Sequence, residues 1–142
     1  MVLKPNALCR ADAVELMECV QPESAALVYL DPPWPNEPNL TLQGWDRSTS
    51  LEDQVKSLAN IILHGRRILY EKGIICCHLN LALSPYLRFL LDEIFGRERF
   101  ITEIVIPGSR RNRPARHSQL ILYAKSPYPT YKPPTRKLTA SR

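Results

Sequence analysis

Glycine is scarce in this chain. Five occur in 142 residues, at positions 44, 65, 73, 96 and 108, and none forms a glycine-rich turn of the sort that lets a backbone close on a cofactor. No apolar run approaches the roughly 18 residues that a membrane-spanning helix requires. The opening Met1-Val2-Leu3-Lys4-Pro5 lacks the long apolar core of a secretion signal. These absences argue against a membrane or exported protein, and the expected location is the cytoplasm. Cysteine is present without a pairing pattern: Cys9, Cys19, Cys76 and Cys77 include no CxxC spacing, which argues against a zinc site or a disulfide framework. Cys76 and Cys77 lie side by side in an apolar run. They would point to opposite faces of a strand and read as buried thiols.

What the chain does have is enough apolar residue for a core (44 % hydrophobic) and an excess of base, with a formal net charge of +5. The basic balance favours an acidic partner such as nucleic acid over a neutral metabolite. The length fits one domain.

Residues 6–10 read as a short strand. Asp12 then suits a helix N-cap, with Glu15 placed to reach back as in a capping box. Val14, Leu16, Met17 and Val20 give that helix an apolar face, and Pro22 stops it. Ala26 to Leu30 is a short apolar run that reads as a strand buried on both faces, as in a parallel sheet. It ends abruptly at Asp31-Pro32-Pro33, because two prolines cannot continue a central strand. Residues 35–49 are polar and read as a loop. Ser50-Leu51-Glu52-Asp53 opens a second helix, in which Leu51, Val55, Leu58, Ile62 and Leu69 recur at helical spacing. Lys72-Gly73 is expected to close it, with glycine in its usual C-terminal role. Ile74 to Leu79 is the next strand, Ser84-Pro85 starts a third helix, and Gly96 ends it. Ile101 to Ile106 and Ser118 to Lys125 read as a final strand pair. Between them lies a loop carrying Arg110, Arg111, Arg113 and Arg116. From Ser126 onward the chain has no acid and no periodicity and is rich in proline and base, as in an extended or disordered tail or a linker. The expected architecture is α/β, a mostly parallel sheet with an antiparallel hairpin at one edge.

Chemistry concentrates at Asp31-Pro32-Pro33-Trp34. In open α/β sheets ligands bind at the carboxyl ends of strands, and Asp31 stands at such an end. The prolines fix the backbone that follows at low entropic cost. Carbonyls near Pro32, free of ladder pairing, can accept hydrogen bonds, and Trp34 offers a flat apolar face. These groups suit a planar heterocycle bearing an amine: Asp31 and a carbonyl accept the two amine hydrogens, and Trp34 stacks on the ring. The alternative is a plain proline turn in which Asp31 caps and Trp34 plugs the core. His78, close to Asn80 at a strand end, either borders this pocket or is a buried, hydrogen-bonded histidine. His117 reads as structural, and His64 carries no signal. The four arginines suit phosphate contact or form a solvated basic loop.

Five features in order resemble the amino-methyltransferases of bacterial restriction-modification and phage systems, in the permuted class whose catalytic motif precedes the cofactor motif. They are Ala11-Asp12, Asp31-Pro32-Pro33-Trp34, Gly73-Ile74-Ile75, the stretch Leu90-Leu91-Asp92-Glu93-Ile94-Phe95-Gly96, and a closing strand from His117 to Lys125-Ser126. The resemblance covers roughly residues 6 to 134 and implies a partial Rossmann-like methyltransferase sheet. It makes residues 1–127 the catalytic part of a methyltransferase domain and 128–142 a basic, proline-rich tail or linker. It further implies S-adenosylmethionine as cofactor and DNA as substrate. The target base leaves the duplex, and its amine attacks the sulfonium methyl in line. Asp31 polarises that amine, Pro32 and Pro33 shape the backbone and lend a carbonyl, and Trp34 stacks on the base. Asp12, with Ala13, resembles the cofactor-binding position, although Asp12 serves equally as a helix cap; Asp31 borders the cofactor as well. The leading aspartate points to adenine, since cytosine-directed members more often carry serine. Tryptophan in the aromatic slot also resembles a second group, which methylates adenine in messenger RNA, but the downstream motifs favour the DNA group.

The family's FxGxG turn is missing from the sequence. In the permuted class it lies C-terminal to the motifs present here, so a second chain or a further C-terminal segment is expected to supply it. The alternative is a catalytically inactive, truncated remnant that binds nucleic acid or another protein.

Overall fold

A computed structural model describes residues 6–32, 50–80, 84–107 and 117–132. The elements run α1 (Ala13–Glu18), β1 (Ala25–Leu30), α2 (Leu51–Ile68), β2 (Leu69–Asn80), α3 (Ser84–Phe95), a single 3-10 turn (Arg97–Arg99), β3 (Phe100–Pro107) and β4 (His117–Ala124). Four strands form one mixed sheet in the order β1-β2-β4-β3. β1 pairs with β2 in parallel, and β2–β4 and β4–β3 are antiparallel. The hairpin of β3 and β4 thus occupies one edge and β1 the other.

The helix starts follow from their caps. Asp12 accepts from the backbone N–H of Val14 at 2.8 Å and of Glu15 at 3.3 Å, filling two of the donors a helix leaves unpaired at its N-terminus. Ser50 and Asp53 cap α2 together: the Asp53 N–H donates to Ser50 Oγ at 3.1 Å, and the Ser50 hydroxyl donates to Asp53 Oδ2 at 2.6 Å. Gly96 ends α3 with φ +95°, a conformation that side chains disfavour.

All three helices contribute to one core. Met17 of α1, Leu58 and Ile62 of α2, and Leu87, Leu91 and Phe95 of α3 pack on Val28, Ile75, Cys77, Leu79, Ile121 and Tyr123 of the sheet. Leu58 and Ile62 are one turn apart, as are Leu87 and Leu91, so each helix presents a stripe. Cys77 is fully buried and Cys76 nearly so; strand alternation puts them on opposite faces. Burial raises both thiols, in keeping with inert, protonated cysteines. Behind the core, Arg67 donates to the carbonyls of Met17 and Val20. It closes the end of α1 with charge of the sign its dipole favours.

Three expectations need correction. Residues 6–10 form no strand: they are exposed and have no ladder partner among the described residues. The helix α2 ends at Ile68, and Lys72-Gly73 lies inside β2. The N–H groups of Glu23 and Ser24 take the carbonyls of Arg67 and Ile68, drawing the chain off the helix and into the sheet. Gly73 therefore serves close packing: a Cβ there would sit 2.9 Å from Leu69 Cδ2, 3.0 Å from the Tyr70 carbonyl oxygen and 3.1 Å from that of Ala25. Finally, β1 is buried on one face only. Val28 meets the helices, whereas Leu27 and Tyr29 are each 54 % exposed, because β1 is an edge strand and the described helices lie on the other face.

The start of the predicted tail is tied down. The Thr130 N–H donates to the Lys72 carbonyl at 3.0 Å, and the hydroxyls of Tyr70 and Thr130 are 2.9 Å apart.

Candidate functional site

Asp31 follows β1 immediately, and the parallel register pairs Leu30 with Cys77. One residue further along each strand brings Asp31 against His78. The Asp31 Oδ1 and His78 Nδ1 atoms lie 3.1 Å apart, with the Asp31 side chain 49 % and the His78 side chain 19 % exposed. On its other side His78 Nε2 is 2.9 Å from Ser118 Oγ. Ser118 is the second residue of β4, and the β2–β4 register pairs it with Asn80. A carboxylate, an imidazole and a hydroxyl thus form one line across three strands. They lie at the carboxyl ends of β1 and β2 and the amino end of β4, on the sheet face opposite the three helices.

The sheet face around this line is partly apolar. Tyr29 and Cys76 pair across β1 and β2 on this face, and Leu120 pairs with both His78 and Ile104. The Tyr29 phenol is pushed up by burial first, then by the charge of Asp31 and by Cys76, so it remains a neutral hydrogen-bonding group. Among the described residues no group of three or more His, Cys, Asp or Glu side chains could hold a metal ion.

The other predicted residues divide as follows. Pro32 is half-buried beside Asp31. Pro33 and Trp34, and the four arginines at 110, 111, 113 and 116, lie outside the described residues. Asp12 is exposed with Oδ1 engaged in capping α1, and Ala13 is the exposed first residue of that helix. His117 opens β4 opposite Pro107. Ser118 escaped the sequence reading and the role of His78 stayed open there, because only the strand register brings them to Asp31. The one available signal was the position of His78 near the end of the strand after Asp31.

Asp31, an acceptor at a strand end, fits a ligand that presents a hydrogen-bond donor. A turn whose backbone closes on a nucleoside cofactor commonly uses a free glycine. Each described glycine is already committed. Gly65 lies against Val28 and Ile75, Gly73 packs under Leu69 and Ala25, and Gly96 terminates α3.

The fold is that of the DNA modification methylases. TTHA0409 of Thermus thermophilus, a protein described as a DNA modification methylase, superposes with a TM-score of 0.59 at 16 % identity, over 88 % of this chain and 54 % of that one. The cytosine-N4-specific PvuII DNA methyltransferase does so with a TM-score of 0.60 at 13 % identity, over 84 % and 49 %. The Thermus protein in complex with S-adenosyl-L-methionine gives a TM-score of 0.58 at 17 % identity, over 88 % and 56 %. In sequence, the chain is similar to type II methyltransferases of bacteria. It is 29 % identical to M.KpnI of Klebsiella pneumoniae over 119 residues, covering 74 % of this chain and 28 % of that protein. It is 33 % identical to M.EcaI of Enterobacter cloacae over 89 residues, covering 60 % and 20 %. No protein-family profile matches. The chain spans at most 28 % of these two sequence relatives and about half of the solved structures.

Proposed function

We propose that this chain forms the target-base side of an S-adenosylmethionine-dependent DNA amino-methyltransferase, acting in the cytoplasm on the exocyclic amine of a flipped adenine. The observation that carries the proposal is Asp31: a half-exposed carboxylate at the end of β1, steadied by His78, in a methylase fold. Asp31 accepts one hydrogen of the amine and the Pro32 carbonyl the other, which orients the nitrogen lone pair. Trp34 stacks on the extruded base and keeps water from the amine. Positioning and charge stabilisation are the expected contributions. Arg110, Arg111, Arg113 and Arg116 contact phosphates.

The methyl donor is held by polypeptide carrying the glycine-rich turn, in a second chain or a C-terminal continuation. The edge of β1, unpaired among the described residues and with Leu27 and Tyr29 exposed beside it, is where its strands pair. A second reading, a catalytically inactive remnant that binds nucleic acid or protein, draws on that same uncovered edge.

The test is transfer of labelled methyl from S-adenosylmethionine to DNA containing adenine or cytosine as the sole available target. The 142-residue chain is assayed alone and with a companion polypeptide bearing FxGxG. Activity on adenine only with the companion is expected, with Asp31→Ala abolishing it. Robust turnover by the chain alone removes the need for a complement. Transfer to cytosine alone overturns the base assignment. Surviving activity in the Asp31 variant removes that residue from the mechanism, and inactivity of every combination leaves the remnant.

A further inference from the structure

We infer that His78 is a positioning residue for Asp31, with Ser118 anchoring the far side of its ring; this rests on the proposed role of Asp31. A carboxylate on a strand end can turn about its own side-chain bonds, and with 49 % of its side chain exposed water competes for both oxygens. A base amine needs one oxygen at one place. Here Oδ1 lies 3.1 Å from His78 Nδ1, which leaves Oδ2 as the oxygen offered to the target.

The imidazole can hold Oδ1 in this way only if Nδ1 carries a hydrogen. The carboxylate can only accept, which favours that hydrogen on Nδ1; the Ser118 hydroxyl, 2.9 Å from Nε2 and able to donate or accept, then donates to the ring's other nitrogen. The ring is held from both sides, between β1 and β4. The order carboxylate–imidazole–hydroxyl is also that of a hydrolytic triad. In this molecule, however, the more exposed end of the line is the carboxylate, while Ser118 is partly buried within the ladder between β2 and β3. The arrangement presents Asp31 to a ligand and uses Ser118 as its anchor.

Two measurements test this. The first is methyl transfer by whichever form of the protein, chain alone or with its companion, proves active. His78→Leu should lower kcat about 10- to 100-fold, the range in which a misplaced group costs rate, with KM for DNA changed less than about three-fold, as for an interaction realised in the transition state. His78→Asn, whose amide places an N–H near the position of Nδ1, should recover most of the rate. His78→Gln, which reaches toward the position of Nε2, should not. A purely structural histidine predicts no such split, and thermal unfolding of all three variants shows whether each is folded. An unchanged kcat in His78→Leu, or equal loss in the Asn and Gln variants, overturns the proposal.

The second measurement needs no activity. Nitrogen-15 NMR of the 142-residue chain, above the pH at which imidazole is protonated, should show His78 in the Nδ1–H tautomer, with the preference weakened in Ser118→Ala. An Nε2–H tautomer in the wild type overturns the proposal even if the enzyme is active. A wild type that transfers no methyl overturns the functional reading instead, and the tautomer then decides the Asp31–His78–Ser118 linkage by itself.

Discussion

Removing one buried hydroxyl should measurably loosen this fold. Tyr123 is fully buried in β4, and its hydroxyl donates to Asp92 Oδ1 on α3. The same carboxylate oxygen lies 3.5 Å from Arg88 Nε, and the Arg88 guanidinium sits 3.7 Å from the centre of the Phe100 ring and 5.5 Å from that of Tyr123. Tyr123→Phe keeps the ring and its contacts with Phe95 and Phe100 and deletes only the donor. A hydrogen bond to a charged acceptor contributes about 1.5–3 kcal/mol. The Asp92 side chain is 26 % exposed, so water can replace part of what is lost, and the expected cost falls at the lower end, about 1.5–2 kcal/mol. At roughly 4 °C per kcal/mol for a chain of this size, Tm should drop by about 6–8 °C.

Urea unfolding of the wild type, Tyr123→Phe, Asp92→Asn and the double variant isolates the pair, with an expected coupling of about 1 kcal/mol. Additivity of the two single costs to within about 0.3 kcal/mol would refute the argument. The pH dependence gives an independent check. Burial first, then the bond to Asp92, raises the Tyr123 phenol above its ordinary value of 10.0. The unfolded chain therefore ionises first. The contribution of Tyr123 is complete below pH 10 and falls above it by about 1.4 kcal/mol per pH unit. The gap between wild type and Tyr123→Phe should narrow as the pH climbs past 10, and a constant gap would mean that the phenol is not held protonated.

Two further outcomes are expected. Gly73→Ala should destabilise the fold by about 1–3 kcal/mol, as overpacking does, because two of the three atoms its Cβ would crowd are backbone oxygens. Equal stability in urea would show that residues 69–73 can give way. In DNA binding, each alanine at Arg110, Arg111, Arg113 or Arg116 that removes a phosphate contact should reduce the slope of log affinity against log salt by about 0.9. A slope unchanged in the fourfold variant would take the loop out of the interface.

Local chemistry was legible in the sequence where it acts locally. The caps at Asp12 and Ser50, the stripe Leu58–Ile62, and the stop at Gly96 each depend on residues within a turn or two. The end of α2 did not: it is set by Glu23 and Ser24, more than forty positions away, whose N–H groups capture the last carbonyls. The apparent strand at 6–10 shows the reverse, a short segment of acceptable composition with no ladder partner among the described residues. The candidate site divides in the same way. Asp31 announces itself because a carboxylate before two prolines at the end of an apolar run is chemically distinctive. His78 and Ser118 do not, because their meeting with Asp31 requires a parallel register between β1 and β2 and an antiparallel one between β2 and β4.

The composition of β1 bears on the complement as well as on the fold. Ala-Ala-Leu-Val-Tyr-Leu is an apolar strand of the kind parallel sheets bury on both faces, yet Leu27 and Tyr29 are half exposed. Edge strands that must remain unpaired in water usually carry charge, proline or a bulge on their length. β1 has its register irregularity at its beginning, between Ala25 and Leu27, and none of these protections over Val28 to Leu30. Asp31 stands at the end of that unprotected stretch. Polypeptide that pairs with β1 would cover Leu27 and Tyr29 and, in the same step, bring its own strand end beside Asp31. On the proposed function this is the place from which a methyl donor must approach. Covering the edge and completing the active site are then a single event, so substitutions that weaken pairing at Leu27 should lower methyl transfer without touching Asp31.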